Sequence, residues 1–148
     1  MYASTIKTAL NTQPLTTDVF RDVVPADKIP GKKNQWGIYV VNTQPHYNPG
    51  EHWVTIEYDP EYTYYFDPYG LPPTKTILQH LEKTRTKKPI LYSNVRRQGR
   101  RQTCGLYCIY HTLTRTTQLY SMNVFNNDLE VNDRIVYKLV HRLFKIKE

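Results

Sequence analysis

The periodicity of apolar positions switches between two and about 3.6 along the chain, and the switches mark out its elements. Trp36 to Asn42 is β-branched and aromatic and reads as a strand. His52 to Tyr58 alternates, with Trp53, Thr55 and Glu57 on one face and Val54, Ile56 and Tyr58 on the other, and reads as a second. Asp59-Pro60-Glu61 turns the chain into Tyr62 to Phe66, a third strand and hairpin partner of the second, which Asp67-Pro68-Tyr69-Gly70 closes. Pro89 to Asn94 is a fourth strand. Helical spacing is expected in four places. Thr5 to Leu10 is a short helix ended near Pro14, with a further turn at Thr17 to Phe20. Thr74 to Thr86 follows a Thr74 cap, with Ile77, Leu78 and Leu81 inward. Leu106, Ile109, Tyr110 and Leu113 define a helix from Cys104 to about Gln118. Ile135, Val136, Leu139, Val140, Leu143 and Phe144 make one stripe of a helix from about Val131 to Lys145. Val23 to Pro30, with two prolines, is expected as an irregular ordered loop, Pro45 to Gly50 as a loop, and Arg96 to Thr103 as a polar loop. The order predicts an α+β fold, a small mixed or antiparallel sheet with packed helices.

Length and composition narrow the classes. The 148 residues suit one domain spanning 1–148 with a real core. No apolar run approaches the roughly 18 residues of a membrane span, and Met1 to Leu10 lacks the apolar stretch of a secretory signal. Two cysteines make neither a disulfide framework nor, alone, a four-ligand zinc site, so no metal is expected and a reducing compartment is. The net charge of +7 is uneven: Lys83 to Asn127 holds nine Lys and Arg and no acid, leaving −2 elsewhere. Lys83, Arg85, Lys87, Lys88, Arg96, Arg97, Arg100 and Arg101 carry nearly all of that excess, as a solvated face or a polyanion contact such as DNA.

The run Cys104-Gly105-Leu106-Tyr107-Cys108 puts Cys104 at a helix start. There the peptide dipoles and unpaired N–H groups favour a thiolate, the reactive form of cysteine. A thiol nucleophile needs a base and a group to orient it. Of the five histidines, His111 lies seven residues along the same helix, roughly 10 Å from Cys104, out of easy reach. His80 and His141 fall in amphipathic helices, and His46 in a proline-flanked loop. His52 stands where a loop enters a strand, and the hairpin places Asp67 at the same end, able to fix the imidazole tautomer. Glu51 and Asp59 are alternative acids, the first pointing away and the second at the wrong end. Oxyanion donors are the Cys104 backbone N–H and a side-chain amide, from either Gln98 or Gln102.

The order His52-Trp53, Phe66-Asp67-Pro68-Tyr69-Gly70, Gln98, Cys104-Gly105 resembles the adenain-like cysteine proteases. These include the adenovirus maturation protease and relatives in other DNA viruses and virus-like transposons; the wider group includes SUMO-deconjugating proteases. The resemblance runs from about Phe20 to Thr114, and Val23 to Pro30 also looks like a segment common upstream in the viral relatives. It implies that fold, with the central helix starting at the nucleophile. It implies Cys104 as nucleophile, His52 as base and acid, Asp67 as orienting acid and Gln98 as oxyanion donor. The adenovirus enzyme has Glu as its usual acid and one more residue between Gln and Cys; the spacing here is closer to the deconjugating branch.

The function expected on that resemblance is a cysteine endopeptidase of viral precursor proteins in virion maturation, cutting near small residues, in host nucleus and virion. No cofactor is expected, though DNA or a peptide could stimulate it. Cys108, on the central helix, is expected to be buried and unsuited to disulfide activation. The alternatives are an isopeptidase for ubiquitin-like modifiers and a catalytically silent nucleic-acid-binding protein.

Overall fold

A computed structural model describes residues 1–31, 35–44, 52–84 and 88–146. Five strands form one mixed sheet in sequence order: β1 (Phe20–Pro25), β2 (Gly37–Asn42), β3 (Trp53–Tyr58), β4 (Thr63–Phe66) and β5 (Ile90–Tyr92). The outer pairs β1/β2 and β4/β5 are parallel, and β2/β3 and β3/β4 are antiparallel. Four helices flank the sheet: α1 (Ala3–Thr12), α2 (Lys75–Thr84), α3 (Cys104–Thr116) and α4 (Leu129–Phe144). The α+β fold expected from the periodicity is therefore the fold observed.

The two faces of the sheet are covered by different helices. Val40, Trp53 and Phe66 pack with Ile6 and Leu10 of α1, Leu106, Ile109 and Leu113 of α3, and Val136, Val140 and Phe144 of α4. Val41, Val54, Ile56 and Tyr65 pack with Ile77 and Leu81 of α2. Every residue of β2 and β3 is buried as a result. Alternation along β3 thus separates two cores rather than core from solvent, and Thr55 and Glu57 are buried as fully as Val54 and Ile56.

Three expectations need correction. Val23 to Pro25 is not loop but the end of β1, paired in parallel with Val40 to Asn42. Proline is tolerated there because it ends an edge strand, where its missing N–H breaks no ladder. Only the part after it is irregular, and the Tyr58 hydroxyl ties it down by donating to Pro30 O (2.7 Å). Leu78 is not inward but exposed, because only the Ile77 and Leu81 stripe of α2 meets the sheet. Third, α4 begins earlier than its apolar stripe, at Leu129, because Asp128 caps it by accepting from Val131 N (3.2 Å). Thr74 does cap α2, accepting from Ile77 N (3.4 Å). The loop at Pro45 to Gly50, with His46, lies outside the described residues, as do Glu51, Arg85 and Lys87.

Candidate active site

α3 and β3 run side by side, and their lengths set what meets at each end. From His52 to Glu57 an extended chain covers roughly 17 Å. From Cys104 to Arg115 a helix covers about the same. At one end His52 meets Cys104; at the other Glu57 accepts from Arg115 Nε (2.8 Å), with Trp36 Nε1 donating to the same carboxylate (2.7 Å). The Glu57 side chain is fully buried. Sequence periodicity placed Glu57 on a face but gave no sign that the face was closed.

The β3/β4 register pairs Thr55 with Phe66, so the residues beyond, His52 and Asp67, share an end of the hairpin. His52 Nε2 lies 2.7 Å from Asp67 Oδ1. That same oxygen accepts from Tyr69 N (2.8 Å), which fixes the carboxylate by an Asx-type turn. With Nε2 engaged, Nδ1 is the nitrogen left for the thiol. The Tyr69 ring stacks on the imidazole (centroids 4.9 Å apart, 23° between planes), and the Arg96 guanidinium lies over Tyr69 (5.1 Å). His52 is held on its edge by Asp67 and on its face by Tyr69.

Cys104 is 8 % exposed, at the first residue of α3. Burial pushes its thiol up, but hydrogen bonds from His52 and from the backbone N–H groups of Trp53 and Gly105 outweigh it, and the thiol sits below its ordinary value. Burial pushes His52 down, and the hydrogen bonds to Asp67 and Cys104 reverse that, raising it from 6.5 to about 9. The two opposed shifts belong to the pair, and both favour transfer of the thiol proton to the imidazole. Cys108, one turn along, is fully buried and pushed well above its ordinary value by burial first and the neighbouring charges second. The two cysteines of one helix thus shift in opposite directions, Cys104 towards the thiolate and Cys108 towards the thiol. Both thiols are free.

Gln98 and Gln102 separate clearly. Gln102 is exposed, whereas Gln98 is 1 % exposed and donates from Nε2 to Arg101 O (2.8 Å). That bond fixes the amide orientation, because the flipped amide would set oxygen against oxygen. Gln98 Oε1 has no partner, and the second Nε2 hydrogen is uncommitted. The loop is joined to the Asp67 turn by Pro68 O, which accepts from Arg97 N (2.8 Å) and Gln98 N (3.0 Å). Gly70 permits the approach: its φ is +69°, and a Cβ there would come 2.7 Å from Arg96 N.

Among the other expected residues, His111 lies apart from this cluster. His111 is buried between Phe66 (4.1 Å, 4°) and Tyr64, with neither ring nitrogen partnered. Burial, reinforced by Arg115, pushes it down to about 3, so it is a neutral core residue. The described basic residues sit on several elements. Lys83 is on α2, on one side of the sheet; Arg100 and Arg101 are exposed on the loop that α4 holds on the other. Lys88 precedes β5, Arg97 is half-buried, and Arg96 is committed to Tyr69 and to Gln98 O (2.8 Å). Sequence reading missed Asn132 and Asp133 of α4, both fully buried beneath the Gln98 loop. The available signal was an amide and an acid at helical spacing from Val136 and Val140, on the stripe that enters the core.

This scaffold is a mixed sheet with a Cys-initiated helix across it and a His–Asp pair on the adjoining hairpin. Among solved structures it is similar to the crystal structure of ASFV pS273R protease, with a TM-score of 0.65 and 20 % identity over 98 % of this chain and 67 % of that one. A crystal structure of the selenomethionine form of the same protease matches with a TM-score of 0.50 and 26 % identity, over 72 % of this chain and 44 % of that one. The chain thus spans about two thirds of the length of the ASFV protease in the first match and under half in the second. No family model matches the chain, and no curated protein matches it in sequence. The fold implied by the resemblance is therefore the fold found, that of a viral protease.

Proposed function

We propose that the protein is a cysteine hydrolase of peptide bonds, with Cys104 as nucleophile, His52 as general acid and base, Asp67 as orienting acid and Gln98 as oxyanion donor. The observation that carries this reading is the His52–Asp67 hydrogen bond (2.7 Å) at the shared end of α3 and the β3/β4 hairpin, where Cys104 lies close enough to His52 for each to shift the other's proton affinity. The Cys104 thiolate attacks the carbonyl carbon, and the developing oxyanion takes hydrogen bonds from Cys104 N–H and the free Gln98 Nε2 hydrogen. Collapse breaks the C–N bond, and the His52 imidazolium gives its proton to the leaving amine. Water then attacks the thioester with neutral His52 accepting its proton; the C–S bond breaks, which releases the carboxylic acid and restores the Cys104 thiolate beside protonated His52.

The likeness to a viral protease supports viral precursor polypeptides as the substrate class, and the resemblance points to small residues at the cleaved bond. Deconjugation of ubiquitin-like modifiers is the second reading, favoured by the Gln98-to-Cys104 spacing. Incubation with Gly-containing viral-type peptides and with SUMO and ubiquitin conjugates separates the two. Cleavage of the peptides alone supports the endopeptidase, release of modifiers supports the second reading, and turnover of neither by the wild-type protein removes the hydrolase assignment.

Removing the oxyanion donor has its own signature. Gln98→Ala is expected to lower kcat about 100-fold, the scale of one lost donor. Alkylation of Cys104 by iodoacetamide should hold its wild-type rate, because that displacement develops no oxyanion. A matching loss of alkylation would place Gln98 in support of the thiolate instead.

A further inference from the structure

The loop from Gln98 to Thr103 carries or adjoins both proposed oxyanion donors, yet it has no regular secondary structure to hold it. What holds it is one carboxylate. Asp133, fully buried on α4, accepts at Oδ1 from Gly99 N (3.0 Å), Thr103 Oγ1 (3.1 Å) and Tyr107 Oη (2.8 Å), and at Oδ2 from Arg101 N (3.2 Å). These are four neutral donors from a stretch of nine residues, three on Oδ1 and one on Oδ2. Asn132 beside it donates to Arg97 O (3.1 Å) and Asn126 O (2.8 Å). Gly99 lets the loop close on α4: a Cβ there would stand 2.8 Å from Asp133 Oδ2 and 2.9 Å from Glu130 Oε1.

A buried carboxylate satisfied by hydrogen bonds alone costs desolvation, and apolar packing would hold two helices together without that cost. What apolar packing cannot do is fix backbone N–H groups in a non-helical loop. Asp133 fixes Arg101, and Arg101 O receives the Gln98 amide (2.8 Å). Asp133 also holds Thr103, the residue before the nucleophile.

We propose that Asp133 is a positioning residue of the hydrolytic site, acting through Arg101 to aim the Gln98 amide and through Thr103 to set the first N–H of α3. The proposal rests on the hydrolase reading above. Asp133→Asn is nearly isosteric and replaces only one oxygen; turned toward Arg101 N, its NH2 sets donor against donor and releases that contact alone. The expected result is about a 10-fold loss of kcat with KM and the Cys104 alkylation rate within twofold of wild type. In a Gln98→Ala background the same substitution should cost less than twofold, because the group it aims is gone. An equal 10-fold loss in both backgrounds, or a parallel loss of alkylation, overturns the proposal. Tyr107→Phe removes one donor from Asp133 without touching its charge; it should show the same pattern at about threefold, and a wild-type kcat there counts against the proposal. Amide hydrogen exchange keeps the two readings separable. Arg101 should exchange at least 10-fold faster in Asp133→Asn than in wild type, while Gly99, still held by the retained oxygen, should change less than threefold, whether or not any peptide is cleaved, and unchanged Arg101 exchange overturns the anchoring role. A wild-type protein that cleaves nothing, with the exchange difference intact, sinks the hydrolase reading and leaves the anchor.

Discussion

Cys104→Ala is expected to abolish hydrolysis, by at least about 10⁴ in kcat, the scale of a lost nucleophile in a triad whose members act as a unit. The fold should survive. Cys104 contributes one small buried side chain at the end of the core, and its removal costs of order 1 kcal/mol. The same substitution should lower the His52 pKa, since the thiol contributes both a hydrogen bond and a charge to its elevation to about 9. Steady-state kinetics with thermal melting checks both halves. Activity retained in the variant would remove Cys104 from the chemistry. Activity lost together with the folded state would leave the role untested, and Cys104→Ser then serves as the milder change.

The largest expected effect on stability lies at the far end of the same helix. Glu57 is a fully buried carboxylate whose charge is met by Arg115, itself about one-third exposed. Breaking a buried pair from one side costs roughly 3–5 kcal/mol, because the remaining charge is stranded; with solvent at the arginine the lower end applies, about 3 kcal/mol for Arg115→Ala. Urea unfolding should show a lower midpoint at unchanged slope. The double variant Glu57→Gln, Arg115→Met should recover part of the loss, since no charge is then stranded. A shift under about 0.5 kcal/mol for Arg115→Ala would mean that water reaches Glu57 and the pair behaves as a surface pair. The consequence reaches the active site. Glu57 with Arg115 and His52 with Cys104 are the two ends of one strand–helix contact, so the ion pair helps set where α3 sits along β3.

What the sequence disclosed was local. Cys104 at a helix start followed from four apolar positions within one helix, and His52 with Asp67 from the arithmetic of one hairpin. Both survive because strand pairing and helical period act over a few residues. What it hid was non-local. Glu57 meets a partner 58 positions away, and Asp133 holds backbone 32 and 34 positions away. Neither contact leaves a periodic trace; each shows only as a charge on a stripe that turns out to be buried. β1 was hidden for a different reason, since Pro25 reads as a breaker until the strand is known to be the edge of the sheet. Gln98 and Gln102, equivalent on local physics, differ in burial once the loop is seen tied to Pro68 and to α4.

The central claim is that Cys104 and His52 form a coupled pair that makes a thiolate below the ordinary thiol range. The direct measurement is the rate of iodoacetamide alkylation at each cysteine from pH 5 to 10, read by peptide mapping, in wild type and His52→Ala. Cys104 is held below the ordinary thiol value and Cys108 well above it. Cys104 should therefore be labelled at pH 6 while Cys108 stays untouched in the folded protein. In His52→Ala the labelling of Cys104 at pH 6 should fall at least 10-fold and recover only as pH rises towards 9. The contrary result is Cys104 labelling that begins only near pH 9 in wild type, or that is unchanged by the loss of His52.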